Sequence, residues 1–87
     1  MEEKNLLHKI SMLDRKQLNI SGVLKVLSSN PSCIVLKLSN TDIEIHGNEL
    51  TLESFNENNI EIKGNIDLIK YSKNFKVKES LFKRVFK

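Results

Sequence analysis

Apolar and polar residues alternate strictly along much of the chain. Ile43-Glu44-Ile45-His46 and Ile60-Glu61-Ile62-Lys63 do so, as do Leu50-Thr51-Leu52-Glu53 and Ile66-Asp67-Leu68. A period of two places successive side chains on opposite faces of an extended strand, so Ile and Leu go to one face and charges to the other. Ile34, Leu36 and Leu38 repeat the pattern after the breaker Ser29-Asn30-Pro31-Ser32, in which Pro31 has no N–H for a ladder and marks a loop or an edge. Residues 9–13 and 17–20 predict two further strands around the turn Asp14-Arg15-Lys16. Ten Asn, mostly between these alternations, punctuate the chain at strand spacing. The pattern predicts an all-β domain of about seven short strands with one wet face.

The chain also repeats itself. Residues 43–48 read IEIHGN and residues 60–65 read IEIKGN, with LNISG at residues 18–22 as a weaker third copy. Each copy runs into a glycine, Gly22, Gly47 or Gly64, where a positive φ for a tight turn or bulge is expected. Two architectures suit this pattern. The favoured one is a small β-sandwich of short antiparallel strands, in which each unit is a hairpin. The alternative is a short β-solenoid with one rung per copy, disfavoured because only two copies are good.

Beyond residue 70 the character changes. Residues 70–87 hold seven bases and one acid, Glu79, whereas residues 42–67 hold seven acids and one base, Lys63. Leu81, Phe82, Val85 and Phe86 recur at helical spacing with Lys83, Arg84 and Lys87 on the remaining face, which predicts a short amphipathic helix. The expected organisation is a flexible arm over residues 1–8, an all-β domain over 9–72 and a basic amphipathic segment over 73–87.

Composition narrows the function classes. A chain of 87 residues removes only about 60% of its unfolded surface from water, so one small domain is expected. The core must be aliphatic, with nine Ile and no Trp, at about 25 cal/mol per Å² buried. A net charge of +3 is too small to name an anionic partner. A single Cys excludes a disulfide framework and suits a reducing compartment. The acidic start and the longest apolar run, Ile34-Val35-Leu36, predict neither a secretion signal nor a membrane span.

Little in the chain suggests chemistry. His46 precedes Gly47 on a strand whose Ile43 and Ile45 point the other way, so it is expected to face solvent; a catalytic role would need a base or an orienting carboxylate, and the nearest acids, Glu44 and Glu49, read as polar-face residues. Cys33 has no adjacent base to lower its pKa and reads as a small packing or edge residue. Glu44, Glu49, Glu53, Glu57, Glu61 and Asp67 are spread along strands rather than gathered in one cation loop. No phosphate-binding, nucleophile-elbow or zinc signature is present. No catalytic, cofactor-binding or metal-binding residue is therefore assigned, and a non-enzymatic role is expected. The interaction surface is expected at Leu81, Phe82, Lys83, Arg84, Val85 and Phe86, whose cations suit a protein or an anionic membrane surface. Few edge-blocking prolines suggest a homo-oligomer. The alternative is an OB-like single-strand nucleic-acid binder using Lys70, Lys73, Lys76, Lys78, Lys83 and Arg84 with Tyr71 and Phe75, although readout of a base sequence has no visible equipment and nucleic acid is the less favoured partner.

Four segments in order carry a resemblance. Asp14-Arg15-Lys16-Gln17-Leu18-Asn19-Ile20-Ser21-Gly22-Val23 is followed by Ile45-His46-Gly47-Asn48-Glu49-Leu50. Ile62-Lys63-Gly64-Asn65-Ile66-Asp67-Leu68-Ile69-Lys70-Tyr71 comes next, and Leu81-Phe82-Lys83-Arg84-Val85-Phe86 closes the set. Together they resemble the YabP family of sporulation proteins, which includes the YqfC group, from about Leu7 to Lys87. Asp14 stands where that family usually has glycine, and Val85 where it has leucine. The resemblance implies an all-β domain without catalytic residues or cofactor, needed for normal spore formation at the stage of spore cortex and spore coat assembly. It further implies a cytoplasmic location in the mother cell or at the forespore surface, with sporulation proteins, among them a membrane protein, as partners.

Overall fold

The structure, a computed structural model, describes residues 7–72. Six strands form in chain order: β1 (Ile10–Leu13), β2 (Gln17–Ser21), β3 (Lys25–Asn30), β4 (Cys33–Lys37), β5 (Asp42–Asn56) and β6 (Asn59–Ser72). All neighbours are antiparallel, and they lie in one open sheet in the order β1-β2-β6-β5-β4-β3. Antiparallel pairing rules out the solenoid, whose rungs would stack in parallel. With β1 and β3 at opposite edges, no OB-like barrel closes either. The expected C-terminal helix lies outside the described residues.

Six strands replace the seven expected because two pairs of alternating segments fuse and β3, which the alternation did not predict, is added. Residues 43–46 and 50–53 both belong to β5, and residues 60–63 and 66–68 both belong to β6, which run for 15 and 14 residues. Their pairing shifts register between His46 and Gly47, between Asn48 and Thr51, and between Leu52 and Ser54. Bulges of this kind bend a strand without ending it.

The repeat has a structural meaning. Ile43 and Ile45 lie opposite Leu36 and Ile34 of β4, while Ile60 and Ile62 lie opposite Ile20 and Leu18 of β2. Each good copy is thus a long strand laid against the second strand of a hairpin, β3-β4 for the first and β1-β2 for the second. Past each copy the hairpin tip holds the bend by two further bonds. Gly47 N–H donates to the Ser32 carbonyl (3.1 Å) and Leu50 N–H to that of Pro31 (2.9 Å); Gly64 N–H donates to Lys16 (3.1 Å) and Ile66 N–H to Arg15 (2.9 Å). The weak third copy, LNISG, is not equivalent to these. It forms β2 and serves as the partner of the second copy.

The first half of β5 and the second half of β6 form one four-stranded layer with β4 and β3; the remaining halves form the other with β2 and β1. Ile34, Leu36, Ile43 and Ile45 come from the first layer and Leu18, Ile20, Ile60 and Ile62 from the second. All eight are at most 1% exposed and belong to one cluster. Both layers thus contribute to one buried cluster. The all-β expectation holds as one open sheet of six antiparallel strands, bent along β5 and β6. Each fully buried Ile or Leu contributes roughly 1.5–3 kcal/mol relative to exposure. At one seam the His8 ring ties the layers: its Nδ1–H donates to the Ser21 carbonyl (3.2 Å) and its Nε2 accepts from the Tyr71 hydroxyl (2.7 Å).

Candidate interaction surface

The outward face of β4 and the first half of β5 brings together the residues with most chemical potential. Cys33 lies directly opposite His46, and Val35 opposite Glu44. The His46 Nε2 is 3.0 Å from Glu44 Oε1 and 3.9 Å from Cys33 Sγ, and Glu44 Oε2 accepts from the Ser72 hydroxyl at 3.3 Å. Sequence reasoning expected a solvent-facing His46; its side chain is 37% exposed, and a carboxylate does orient it. The arrangement is nonetheless not that of an activated thiol. In a nucleophile relay the carboxylate holds one ring nitrogen and the nucleophile meets the other. Here a single nitrogen faces both, and the hydrogen it donates to Glu44 leaves it no lone pair to take the thiol proton. Burial, followed by the negative charge of Glu44, pushes the Cys33 thiol above its ordinary pKa. A thiol kept protonated is a poor nucleophile and a poor metal ligand.

The burial of Glu44, together with that of Asp42, was not anticipated. The available signal was the run Ile34-Val35-Leu36: three consecutive apolar residues fit a strand covered on both faces, and Val35 is 5% exposed on the side opposite the core. The other acids are dispersed. Glu49, Glu53, Glu57 and Asp67 are exposed, and Glu61 is half-buried, accepting from the Gln17 amide at 3.0 Å. Among the described residues no three His, Cys, Asp or Glu side chains are placed to hold a metal ion.

The three glycines occupy distinct situations. Gly22 and Gly64 have φ of +80° and +136°, in the region that side chains resist. Gly47 does not have a positive φ, and its requirement is space: a Cβ there would collide with the Asn65 carbonyl oxygen of β6. Asp14 and Arg15 have φ of +54° and +55°, and Lys16 N–H closes the turn on the Leu13 carbonyl at 3.0 Å. A left-handed residue at position 14 accounts physically for the glycine that the YabP resemblance leads one to expect there. Beside this turn a depression of about 290 Å³ is lined by Asp14, Arg15, Lys16, Asn65 and Ile66. A second of the same volume borders β1 and β2 at Ile10, Asn19 and Ile20. Both sit at the lower limit for small-molecule sites.

Surface suited to a macromolecule is more plentiful. Leu13, Leu68 and Tyr71 are 66%, 49% and 52% exposed. Among the described residues, β1 and β3 each pair on one side only, as do β5 beyond Gly47 and β6 beyond Gly64. Unpaired backbone along a strand edge offers donors and acceptors to a further strand. Leu81, Phe82, Lys83, Arg84, Val85 and Phe86 lie outside the described residues. Among the described residues no helix is long and apolar enough to cross a membrane.

The family model described as the YabP family matches residues 4–78. The match takes in all six strands, both hairpin tips and both strand bends, and it stops short of the closing segment that begins at Leu81. No curated protein and no solved structure matches the chain. A match over this much of the sequence places the chain in the YabP family.

Proposed function

We propose that the protein is a sporulation protein that acts as an assembly or scaffold module, without catalysis, at the stage of spore cortex and coat formation. The observation that carries this reading is the family match across the entire described sheet. The surface supports it. The side chains best placed for chemistry are locked to one another, whereas exposed apolar residues and open strand edges are available for contacts with other proteins, with a second copy or with a membrane surface. The basic segment ending in Leu81, Phe82, Lys83, Arg84, Val85 and Phe86 adds a cationic and apolar surface suited to an anionic partner. Location in the mother cell or at the forespore surface follows from the same reading.

A deletion strain of the source organism, scored for heat-resistant spores, tests the role. The expected result is a marked loss of heat-resistant spores, restored by the wild-type gene. Normal spore yield and resistance in the deletion strain would refute it.

A further inference from the structure

The two halves of the sheet are related by an internal two-fold. Asn48 lies opposite Asn65, which is its own counterpart in the other copy of the repeat. Around that pair, β1 and β2 stand to β6 as β3 and β4 stand to β5. The relation extends to the strand ends. Just before β1, His8 meets the end of β6, where it accepts from the Tyr71 hydroxyl (2.7 Å). Just before β3, Val23 meets the chain past the end of β5, where its carbonyl accepts from the Asn58 amide (2.9 Å) and its N–H donates to the Asn58 carbonyl (3.0 Å). The molecule therefore has two like sides, β1 with the second half of β6 and β3 with the second half of β5.

The like sides carry unlike charge. The uncharged stretch Ile10–Leu13 of β1 is flanked by Lys9, Arg15 and Lys16 against one acid, Asp14. The uncharged stretch over residues 54–56 of β5 is flanked by Glu53 and Glu57, and residues 48–58 contain no base. All of these charged residues are exposed. At the centres of the two stretches Met12 and Phe55 are each 41% exposed, opposite the buried Leu18 and Ile60 and so on the face that carries the core. Each stretch is also an edge, unpaired on one side among the described residues.

Direction matches as well. From β1 through β2 and β6 to β5 every neighbour is antiparallel, so β1 and the second half of β5 run in opposite directions. A second copy in the same orientation thus presents its β5 antiparallel to β1, with the core faces on one side. Placing Met12 opposite Phe55 brings Lys9 beside Glu57 and Arg15 beside Glu53, and opposite charges across strands attract. Two β1 edges, or two β5 edges, would instead set like charges together.

We propose that copies of this chain join head to tail, with β1 of one adding antiparallel to the second half of β5 of the next. Main-chain hydrogen bonds along the edge hold the contact and the flanking charges select it. A contact between unlike surfaces leaves one of each free at the ends, so assembly continues past a dimer. The inference deepens the scaffold reading, on which it rests for its role in the cell, by naming a second copy as the partner.

The test uses the purified full chain in a Cys33→Ser background, with Met12→Cys in one preparation and Phe55→Cys in another. Cross-strand neighbours lie within disulfide reach. Mild oxidation of the mixture should give a crosslinked pair that neither preparation gives alone, and a chain carrying both cysteines should give a ladder of dimers, trimers and larger species. Lys63→Cys in place of Phe55→Cys, exposed but away from the edge, should give no crosslink. Light scattering supplies a second measurement. The mass should rise with concentration beyond twice that of the monomer, and should fall to the monomer in Glu53→Lys with Glu57→Lys and in Lys9→Glu with Arg15→Glu, while mixing these two variants restores association. Crosslinking of either single-cysteine chain with itself as strongly as in the mixture, equal crosslinking through position 63, a monomer at every concentration, or association that survives both charge reversals would overturn the proposal. None of these outcomes bears on the deletion strain, so the contact can fail while the sporulation role stands.

Discussion

Gly47 and Gly64 each lie against the other's strand where β5 and β6 bend together. A Cβ on Gly47 would strike the Asn65 carbonyl oxygen, and one on Gly64 would come within 2.5 Å of the Glu49 carbonyl oxygen. Both obstacles are backbone atoms in paired strands, and neither can step aside cheaply. Gly47→Ala and Gly64→Ala should each cost about 3 kcal/mol or more, among the large effects for single substitutions. Against a total stability of roughly 4–13 kcal/mol for a chain of this size, the urea midpoint should fall steeply or the chain should fail to fold. Gly22→Ala also meets a carbonyl, that of Leu7 at 2.7 Å, but Leu7 precedes the first strand and can give way. Its expected cost is smaller, about 1–2 kcal/mol. Equal costs at all three positions would contradict the interlocked bend.

The two copies of the repeat should also match in energy. Ile45 opposite Ile34 and Ile62 opposite Leu18 are both fully buried, in equivalent places against the two hairpins. Ile45→Ala and Ile62→Ala should each destabilise by about 2–5 kcal/mol, and the two values should agree within about 1 kcal/mol. Chemical denaturation of the pair checks this. A large cost for one and a negligible cost for the other would place them in different surroundings.

Two turns hold side chains in the left-handed region. Asp14 and Arg15 share one turn, and Glu57 (φ +52°) and Asn58 (φ +66°) share the other. Asn-Gly is the pair best suited to this conformation. Asn58 is best kept, because its side-chain amide donates to the carbonyl of the buried Val23 at 2.9 Å; the single changes Glu57→Asn and Asp14→Gly should each add up to about 0.5–1 kcal/mol. For a chain of this size about 1 kcal/mol raises Tm by roughly 4–8 °C, measurable by thermal unfolding followed by circular dichroism. A fall in Tm would show that the turns are held differently.

Cys33 makes stability depend on pH in one direction. Its folded pKa lies above its unfolded one, through burial first and the Glu44 charge second. The folded state therefore holds the thiol proton more tightly, and this contribution is complete below about pH 8.5, the ordinary thiol value. It is lost as pH rises through the folded pKa. Urea midpoints from about pH 7 to about pH 10 should fall more for the wild type than for Cys33→Ser. A thiol-specific reagent should also react with Cys33 more slowly than with a free cysteine at the same pH. Parallel midpoint curves, or a reaction faster than that of free cysteine, would contradict the protonated thiol.

Much of the architecture was readable from side-chain alternation, and the failures have physical causes. The isoleucines of both copies show the buried face directly, because strict alternation survives where a strand is wet on its other side. Asn48 and Asn65, after their glycines, read as breaks, yet the strands continue through a bulge, and a bulge looks the same as a turn in a one-dimensional pattern. β3 was missed altogether: it is an edge strand, almost wholly exposed, and its register shift between Val26 and Ser28 breaks the phase of its alternation. The positive φ expected at Gly47 was replaced by a need for space, which depends on a strand 17 or more positions away in the chain. Glu44 and His46, two apart on one strand, share a face by alternation alone, whereas the proximity of Cys33 to His46 depends on cross-strand register, for which a sequence without its pairing offers no signal.

The central claim is that each isoleucine copy is laid antiparallel against its own hairpin within one folded sheet. Backbone NOEs in the full chain test it most directly. The account predicts cross-strand contacts between residues 34 and 45 and between residues 18 and 62, with residues 45 and 69 also paired. A backbone contact between residues 45 and 62, which parallel stacking of the two copies would create, in place of those three, would contradict it.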